Sequence, residues 1–314
     1  VTELNIGPDE LVRLAFVAHQ HYIVGRTRIQ IAQDLGLSRF KVGRMLDDAI
    51  AGGIVKFEIS TPGPLDLGLS LKLKDRFGLK HALAVRTPTE APETVQEHLG
   101  AVAAELLREI ATDDDVIGLT AGRTLSAMAG ALTTLPHCDV VQLAGVAGPI
   151  QETGVEVIRR VSSVASGRPW SIYAPLVVSD PRTAHAIRQQ PDMQATFAQF
   201  ARVTIALVAV GSWSPPDSQM YDNAAISPAQ RSSLLEKGVR AEVCATLIDA
   251  QGSVVEDIED SCIAIDTAAL RRIPDVIAVA GGEHKTSAIR AALASGLVNS
   301  LITDSALAKR LIGE

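Results

Sequence analysis

Apolar positions along this 314-residue chain keep two different periods, and the change of period divides it. Near the start the spacing is helical. A first helix is predicted from after Pro8 to about His21, with Leu11, Leu14, Ala15 and Ala18 on one face. A second covers Arg28–Leu35, a Gly36-Leu37-Ser38 turn follows, and a third runs from Arg39 to about Ala51 with Ser38 as its cap. Gly52-Gly53 ends it, and Ile54–Ile59 alternates as a short wing strand. Beyond the linker Pro62-Gly63-Pro64 and a helical segment Leu65–Phe77, short apolar runs alternate with amphipathic stretches. The helical segment leads to Ala82–Arg86, and strands are predicted at Val116–Leu119, Val140–Leu143, Ser171–Tyr173, Val203–Val210, Val243–Ile248, Val276–Ala280 and Leu301-Ile302. Helices are predicted at Glu93–Ile110, Thr124–Leu135, Val155–Ala165, Met193–Ala201, Thr286–Ala294 and Ser305–Ile312. Such alternation predicts an α/β body: a doubly wound, mostly parallel sheet covered on both faces. The expected organisation is a helical, winged head over 1–60 and a larger domain over 61–314.

The head has the spacing of a helix-turn-helix. Counting Arg28 as one, small Ala32 falls at five and Gly36 at nine, while Ile31, Leu35, Leu37, Val42 and Met45 fall at four, eight, ten, fifteen and eighteen. Two helices crossing steeply need a small residue where they touch, and the tight turn needs a residue that tolerates positive φ. The apolar set faces the first helix. Arg39, Phe40, Lys41, Gly43 and Arg44 are left on the outer face of the third.

Composition is ordinary for a globular protein, at 47% apolar and 21% charged, and the length allows two domains. Aromatics are only 4%, too few for the stacking platforms of single-strand nucleic-acid modules. The net charge of −7 seems to oppose DNA binding, but residues 1–60 hold seven basic and seven acidic side chains, so the excess acid belongs to the body. Within 26–44 five basic residues (Arg26, Arg28, Arg39, Lys41, Arg44) face one acid, Asp34. A small basic face on an acidic body fits a double-stranded-DNA-binding head. Its candidate contacts are Arg28, Ser38, Arg39, Phe40, Lys41 and Arg44; the other reading is a three-helix packing unit with solvated charges. The apolar runs fall short of the roughly 20 residues a membrane helix needs, and no signal peptide is visible. Three scattered cysteines without a CxxC pair fit structural thiols in a reduced, cytoplasmic protein.

In the body, candidate chemistry lies in turns that follow strands. Gly118-Leu119-Thr120-Ala121-Gly122-Arg123-Thr124 reads as strand, glycine turn and helix start, which offers backbone N–H groups and an arginine fork to an anion. A tight turn with a solvated arginine fits the same residues. Ala280-Gly281-Gly282-Glu283-His284-Lys285 is similar, with Lys285 either a mobile point charge for a ligand or a surface lysine. Gly211, Ser212 and Trp213 can line a sugar face, or Trp213 can be core. Glu242 can accept hydroxyl hydrogens, and Asp222 belongs to a polar cluster with Tyr221 and Asn223. No metal-ligand spacing, Walker loop, dinucleotide fingerprint or catalytic constellation appears, so neither a metal nor a cofactor is expected.

Taken together and in order, the head, the Gly122-Arg123-Thr124 turn, Tyr173-Ala174-Pro175-Leu176, Val210-Gly211-Ser212, Gly238–Asp249 and the ending Ala278–Lys285 … Leu301-Ile302-Thr303-Asp304 resemble the SorC family of bacterial sugar-responsive transcriptional regulators. The resemblance implies a winged helix-turn-helix and an effector domain akin to the phosphosugar isomerase and CoA-transferase sheet, assembling as a homodimer or homotetramer. By position it puts phosphate cradling on Gly122, Arg123 and Thr124, and the acidic and basic pocket roles on Glu242 and Lys285. The chain departs from the family at Thr120-Ala121, at Gly238-Val239-Arg240-Ala241 and at Leu143-Ala144-Gly145, where some phosphosugar sensors carry an arginine. That last departure speaks against a doubly phosphorylated ligand and leaves a monophosphate, a neutral sugar or a polyol. The alternative function is a sugar-phosphate isomerase-like enzyme with Glu242 or Asp222 as general base.

Overall fold

A computed structural model describes residues 7–57, 63–147 and 154–313. Two compact units, Val1–Ser60 and Thr61–Glu314, divide the chain.

The first unit holds α1 (Pro8–Ala18), α2 (Arg28–Leu35) and α3 (Arg39–Ala51), with a single wide π turn, His19–Ile23, after α1. Each boundary has a local cause. Pro8 opens α1, where a missing N–H costs nothing. Thr27 and Gln30 cap α2 reciprocally, and Gly36 at φ 63° ends it. The Ser38 hydroxyl then accepts from the Lys41 N–H at 3.2 Å to start α3. Leu14, Val17, Ala18, Ile31, Ala32, Val42, Leu46 and Ala49 form the core.

Three expectations change here. Leu35 is 39% exposed, so the apolar seam leans on Leu46 and Ala49 further along α3. Gly43 is buried, not outward, because the Arg28 guanidinium packs 3.6 Å from where its Cβ would stand. No strand forms over residues 54–57; Ile54 and Val55 bend back onto the core, and a lone strand without a pairing partner is not stable. Glu58 and Ile59, the rest of the expected wing, lie outside the described residues.

The second unit contains two sheets. In chain order its elements are α4 (Leu67–Phe77), β1 (Ala82–Val85), α5 (Pro92–Ile110), β2 (Val116–Leu119), α6 (Arg123–Ala131), β3 (Asp139–Gln142), α7 (Gly154–Ala165) and β4 (Pro169–Trp170). There follow α8 (Pro181–Arg188), α9 (Pro191–Phe197), β5 (Ile205–Val208), β6 (Gly211–Trp213), β7 (Pro216–Asp217), α10 (Pro228–Glu236) and β8 (Val239–Val243). The last are β9 (Thr246–Asp249), β10 (Val254–Val255), α11 (Thr267–Arg272), β11 (Asp275–Val279), α12 (Thr286–Ala294), β12 (Ser300–Asp304) and α13 (Ser305–Ile312). The main sheet is parallel throughout, in the order β1-β12-β11-β5-β2-β3-β4. Its central strands are buried on both faces, as near-continuous apolar runs require. Two large hydrophobic clusters cover the two faces.

A second, antiparallel sheet, β10-β9-β8-β6-β7, was not anticipated. The apolar run 243–248, read as one strand, is a tight hairpin in which Val243 pairs with Thr246. Cys244 and Ala245 make the turn at φ 50° and 65°, without the Asn-Gly signal that normally announces one. The expected strand 203–210 likewise stops at Val208, and the chain swings into β6. Trp213 sits fully buried beneath this sheet with Met220, Leu234, Val239 and Leu247 around it.

Candidate functional site

The strand order reverses direction once. From β2 the chain moves outward to β3 and β4, whereas from β5 it moves the other way, to β11 and then β12. The turns leaving adjacent strands β2 and β5 therefore diverge and open a crevice at the strands' carboxyl ends, where open α/β sheets bind ligands. A cavity of about 740 Å³ occupies that place, within the size range of small-molecule sites. Its wall includes Thr120–Thr124 after β2, Ala209–Gly211 after β5, Val279–Lys285 after β11 and Asp304 at the end of β12.

The turns are shaped by glycine where geometry demands it. Gly122 adopts φ 148° and ψ 149°, a region closed to side-chain-bearing residues, and offers no side-chain cap to α6. The first turn of α6, at the positive end of its dipole, thus borders the cavity through Gly122, Arg123 and Thr124. Opposite, Gly282 at φ 95° donates its N–H to Asp304 Oδ2 at 2.7 Å, while Asp304 Oδ1 accepts from the Leu307 N–H at 2.9 Å. One buried carboxylate thereby fixes both the β11 turn and the start of α13.

Charge is concentrated on Asp217, at the end of the two-residue strand β7. Its Oδ1 lies 3.2 Å from the Arg123 guanidinium, and its Oδ2 lies 3.0 Å from His284 Nε2 and 3.1 Å from Lys285 Nζ. Lys285 also donates to the Val210 carbonyl at 3.0 Å. Burial pushes the Asp217 carboxyl up, but the Lys285 charge, hydrogen bonds from His284 and Lys285, and the Arg123 charge outweigh it and bring it down to about 2.

Glu242 on β8 behaves oppositely. Its Oε2 accepts from Trp213 Nε1 at 3.0 Å. Burial at the cavity wall raises its pKa against the hydrogen bonds of Trp213 and Ser218, the Lys285 charge and the Met220 N–H. Gly211 pairs directly across from it, and a Cβ there would fall 2.5 Å from Glu242 Oε1. The absence of a side chain at Gly211 is what lets the carboxyl reach the cavity. One wall is thus cationic and can hold an anion, while Glu242 can accept or donate to hydroxyl groups.

Of the residues singled out in the body, Gly122, Arg123, Thr124, Gly211, Glu242 and Lys285 line the cavity. Three do not. Ser212 is buried with its hydroxyl donated to the Pro215 carbonyl, Trp213 is core and acts through Glu242, and Asp222 is exposed away from the wall. Asp217 and Ser218 escaped notice because Ser214-Pro215-Pro216 reads as a plain turn, and only the antiparallel sheet brings them to the crevice. His284 stood inside a turn already noted, but adjacency to Lys285 said nothing of a shared partner. In the first unit Arg28, Ser38, Arg39, Phe40, Lys41 and Arg44 are all exposed, with Phe40 at 70% and the Arg39 guanidinium 4.8 Å from its ring centre. Arg26, by contrast, is ion-paired with Asp34. Among the described residues no group of three or more His, Cys, Asp or Glu side chains could hold a metal ion, and no helix is long and apolar enough to cross a membrane.

Residues 65–313 match the model of the Sugar-bind family, described as "Putative sugar-binding domain". The chain belongs to this family. Outside the Sugar-bind region the similarity continues. The transcriptional regulator LsrR of Enterobacter sp. (strain 638) is 27% identical over 316 residues, covering 98% of this chain and 94% of that one. The transcriptional regulator YjhU of Escherichia coli K12 is 26% identical, covering 93% and 92%. Among solved structures, the full-length sorbitol operon regulator SorC from Klebsiella pneumoniae superimposes with a TM-score of 0.74 at 24% identity, over 97% of this chain and 99% of that one. The Sugar-bind fold, with its N-terminal helical unit, is therefore shared across nearly the whole length.

Proposed function

We propose that this chain is a cytoplasmic DNA-binding transcriptional regulator whose operator affinity is set by a sugar, sugar phosphate or polyol held in the Sugar-bind cavity. Residues 1–60 would read double-stranded DNA and 61–314 would bind the effector, in a homodimer or homotetramer. The observation that carries this reading is the pairing of a cationic wall (Arg123 and Lys285, with His284 beside them) with a hydroxyl-binding carboxyl, Glu242, at the strand ends of a chain that also contains a helix-turn-helix. The names of its relatives as transcriptional regulators support the same reading. Arg28, Ser38, Arg39, Phe40, Lys41 and Arg44 would meet phosphates and base edges, and only base contacts would confer specificity.

An enzymatic role on the same sheet would need a general base within reach of substrate. Asp222 stands outside the cavity wall, and Glu242, held on the wall by Trp213 and Ser218, is placed to bind hydroxyl groups without a second titratable partner from the Asp222 cluster. We propose regulation without turnover.

The test is a gel shift with the chain's own promoter DNA against a panel of sugars, sugar phosphates and polyols. Arg123→Ala and Lys285→Ala should lose the ligand response and keep DNA affinity. Lys41→Ala and Arg44→Ala should do the reverse. If all four folded variants lost both properties together, the division of labour would be refuted.

A further inference from the structure

The cation cluster of the cavity already has an occupant, and it belongs to the chain itself. Three cationic or protonatable groups from two different turns converge on one carboxylate: Arg123 from the first turn of α6, and His284 and Lys285 from the turn after β11. Both Asp217 oxygens are engaged, in the manner of an anion bound end-on between two donors sets. The carboxylate arrives from outside the parallel sheet. Strand β7 is two residues long, lies at the edge of the antiparallel sheet and, among the described residues, pairs only with β6, through Ser212↔Asp217 and Trp213↔Pro216. Around that pairing the Ser212 hydroxyl donates to the Pro215 carbonyl at 2.6 Å, Ser218 hydrogen-bonds Glu242, and the Ser287 hydroxyl of α12 donates to the Ser214 carbonyl at 2.9 Å. The first two tie it to its own sheet; toward α6 and α12 the bonds are the Ser287 hydroxyl and the Asp217 cluster, so the cluster is a large share of what holds β7 there.

We propose that Asp217 is a built-in counter-anion, displaced from Arg123, His284 and Lys285 by the single anionic group of a ligand, and that its displacement frees the edge strand β7 from α6 and α12. This rests on the reading of the cavity as the effector site and deepens it in two respects. The ligand class it selects is a monoanionic-group compound, such as a phosphate monoester, whose oxygens can accept from both sides of the cluster at once. A neutral sugar offers these donors only uncharged hydroxyl acceptors in place of the carboxylate's charge-assisted bonds, which is a loss in a half-buried site. The signal that a ligand has bound is the release of a carboxylate that tied β7 to two helices. Because β6 also carries Trp213, which donates to Glu242, both ends of the cavity are linked through one strand.

A tethered competitor weakens any external anion, since its effective concentration is set by the chain and reaches the millimolar range or more. Removing the competitor should therefore tighten anion binding, even though it deletes a residue of the cavity wall. The experiment is calorimetric titration of the full chain with inorganic phosphate at constant ionic strength. Asp217→Asn and Asp217→Ser should each bind at least tenfold tighter than the parent, and adding Arg123→Ala to Asp217→Asn should abolish the gain. If Asp217 only holds the cations in position, the same variants will bind phosphate equally or more weakly, and the proposal is overturned. The unaltered chain supplies a check that does not depend on a variant folding. With saturating phosphate, the Asp217 carboxyl followed by carbon-13 NMR should titrate in the ordinary carboxylate range, and an unchanged titration also overturns the idea. The gel-shift panel decides separately whether the cavity is an effector site, because it uses the parent chain and includes neutral ligands.

Discussion

Asp217 and Glu242 face the same cavity and titrate in opposite directions, which makes their contributions separable by pH. Asp217 is held at about 2, below the roughly 3.9 of an unfolded aspartate, so its ion pairs support the fold fully above about pH 4 and are lost as pH falls toward 2. Glu242 is raised, so it favours the folded state when protonated and its contribution declines as pH rises above the ordinary glutamate range of about 4.3. Denaturation curves between pH 2 and 8 should show Asp217→Asn flattening the acid limb and Glu242→Gln flattening the decline above it. Gly211 provides a steric counterpart. A methyl 2.5 Å from Glu242 Oε1 cannot be accommodated without moving the carboxyl, so Gly211→Ala should cost about 1–3 kcal/mol in urea denaturation. The same variant should lose any ligand-induced rise in melting temperature while DNA affinity is unchanged.

At the scale of elements, the site depends on a few helix starts. Asp304 serves the Gly282 and Leu307 amides together while 3% exposed, and Asp304→Ala leaves both without their acceptor. Loss of a cap plus a buried unsatisfied N–H amounts to about 2–4 kcal/mol, measurable as a lower urea midpoint at unchanged m-value. In the head, Ser38→Ala removes the cap of α3 and should cost about 1 kcal/mol, with a parallel loss of operator affinity if α3 is the reading helix. Elements whose ends are written in local chemistry were legible beforehand. Gly36 and Ser38 separate α2 from α3, and Gly122 marks the passage from β2 to α6. The hairpin β8–β9 was not legible, because Cys244 and Ala245 adopt left-handed backbone that neither residue favours. Packing imposes that turn, since both residues are buried at the cavity wall. Helices α8, α10 and α11 escaped for a related reason: their apolar stripes are short, and tertiary contact completes them.

For the molecule as a whole, the uneven charge has consequences in solution. The head is neutral in sum yet carries exposed Arg28, Arg39, Lys41 and Arg44, whereas the body holds the entire net charge of −7. DNA binding should therefore weaken steeply with salt, and Lys41→Ala should lower the slope of log affinity against log salt by about 1 if Lys41 meets a phosphate. Phosphate binding in the cavity should respond less, because its charges are partly buried and less screened.

What the order of residues determined alone was anything decided within a few neighbours: the capped helices, the glycine turns at strand ends, and the alternation that makes a parallel sheet inevitable. Arg123 and Lys285 could be marked as candidates because each follows a glycine that opens a strand-to-helix turn. What only the tertiary structure decided was which of these turns share a cavity and what stands between them. Strand order placed β2 beside β5 and so put the crevice there, and an unannounced second sheet carried Asp217 across it. The physical reason is that helix caps and turn conformations are local free energies, whereas a carboxylate shared by residues 94 and 67 positions away exists only once the chain has closed on itself.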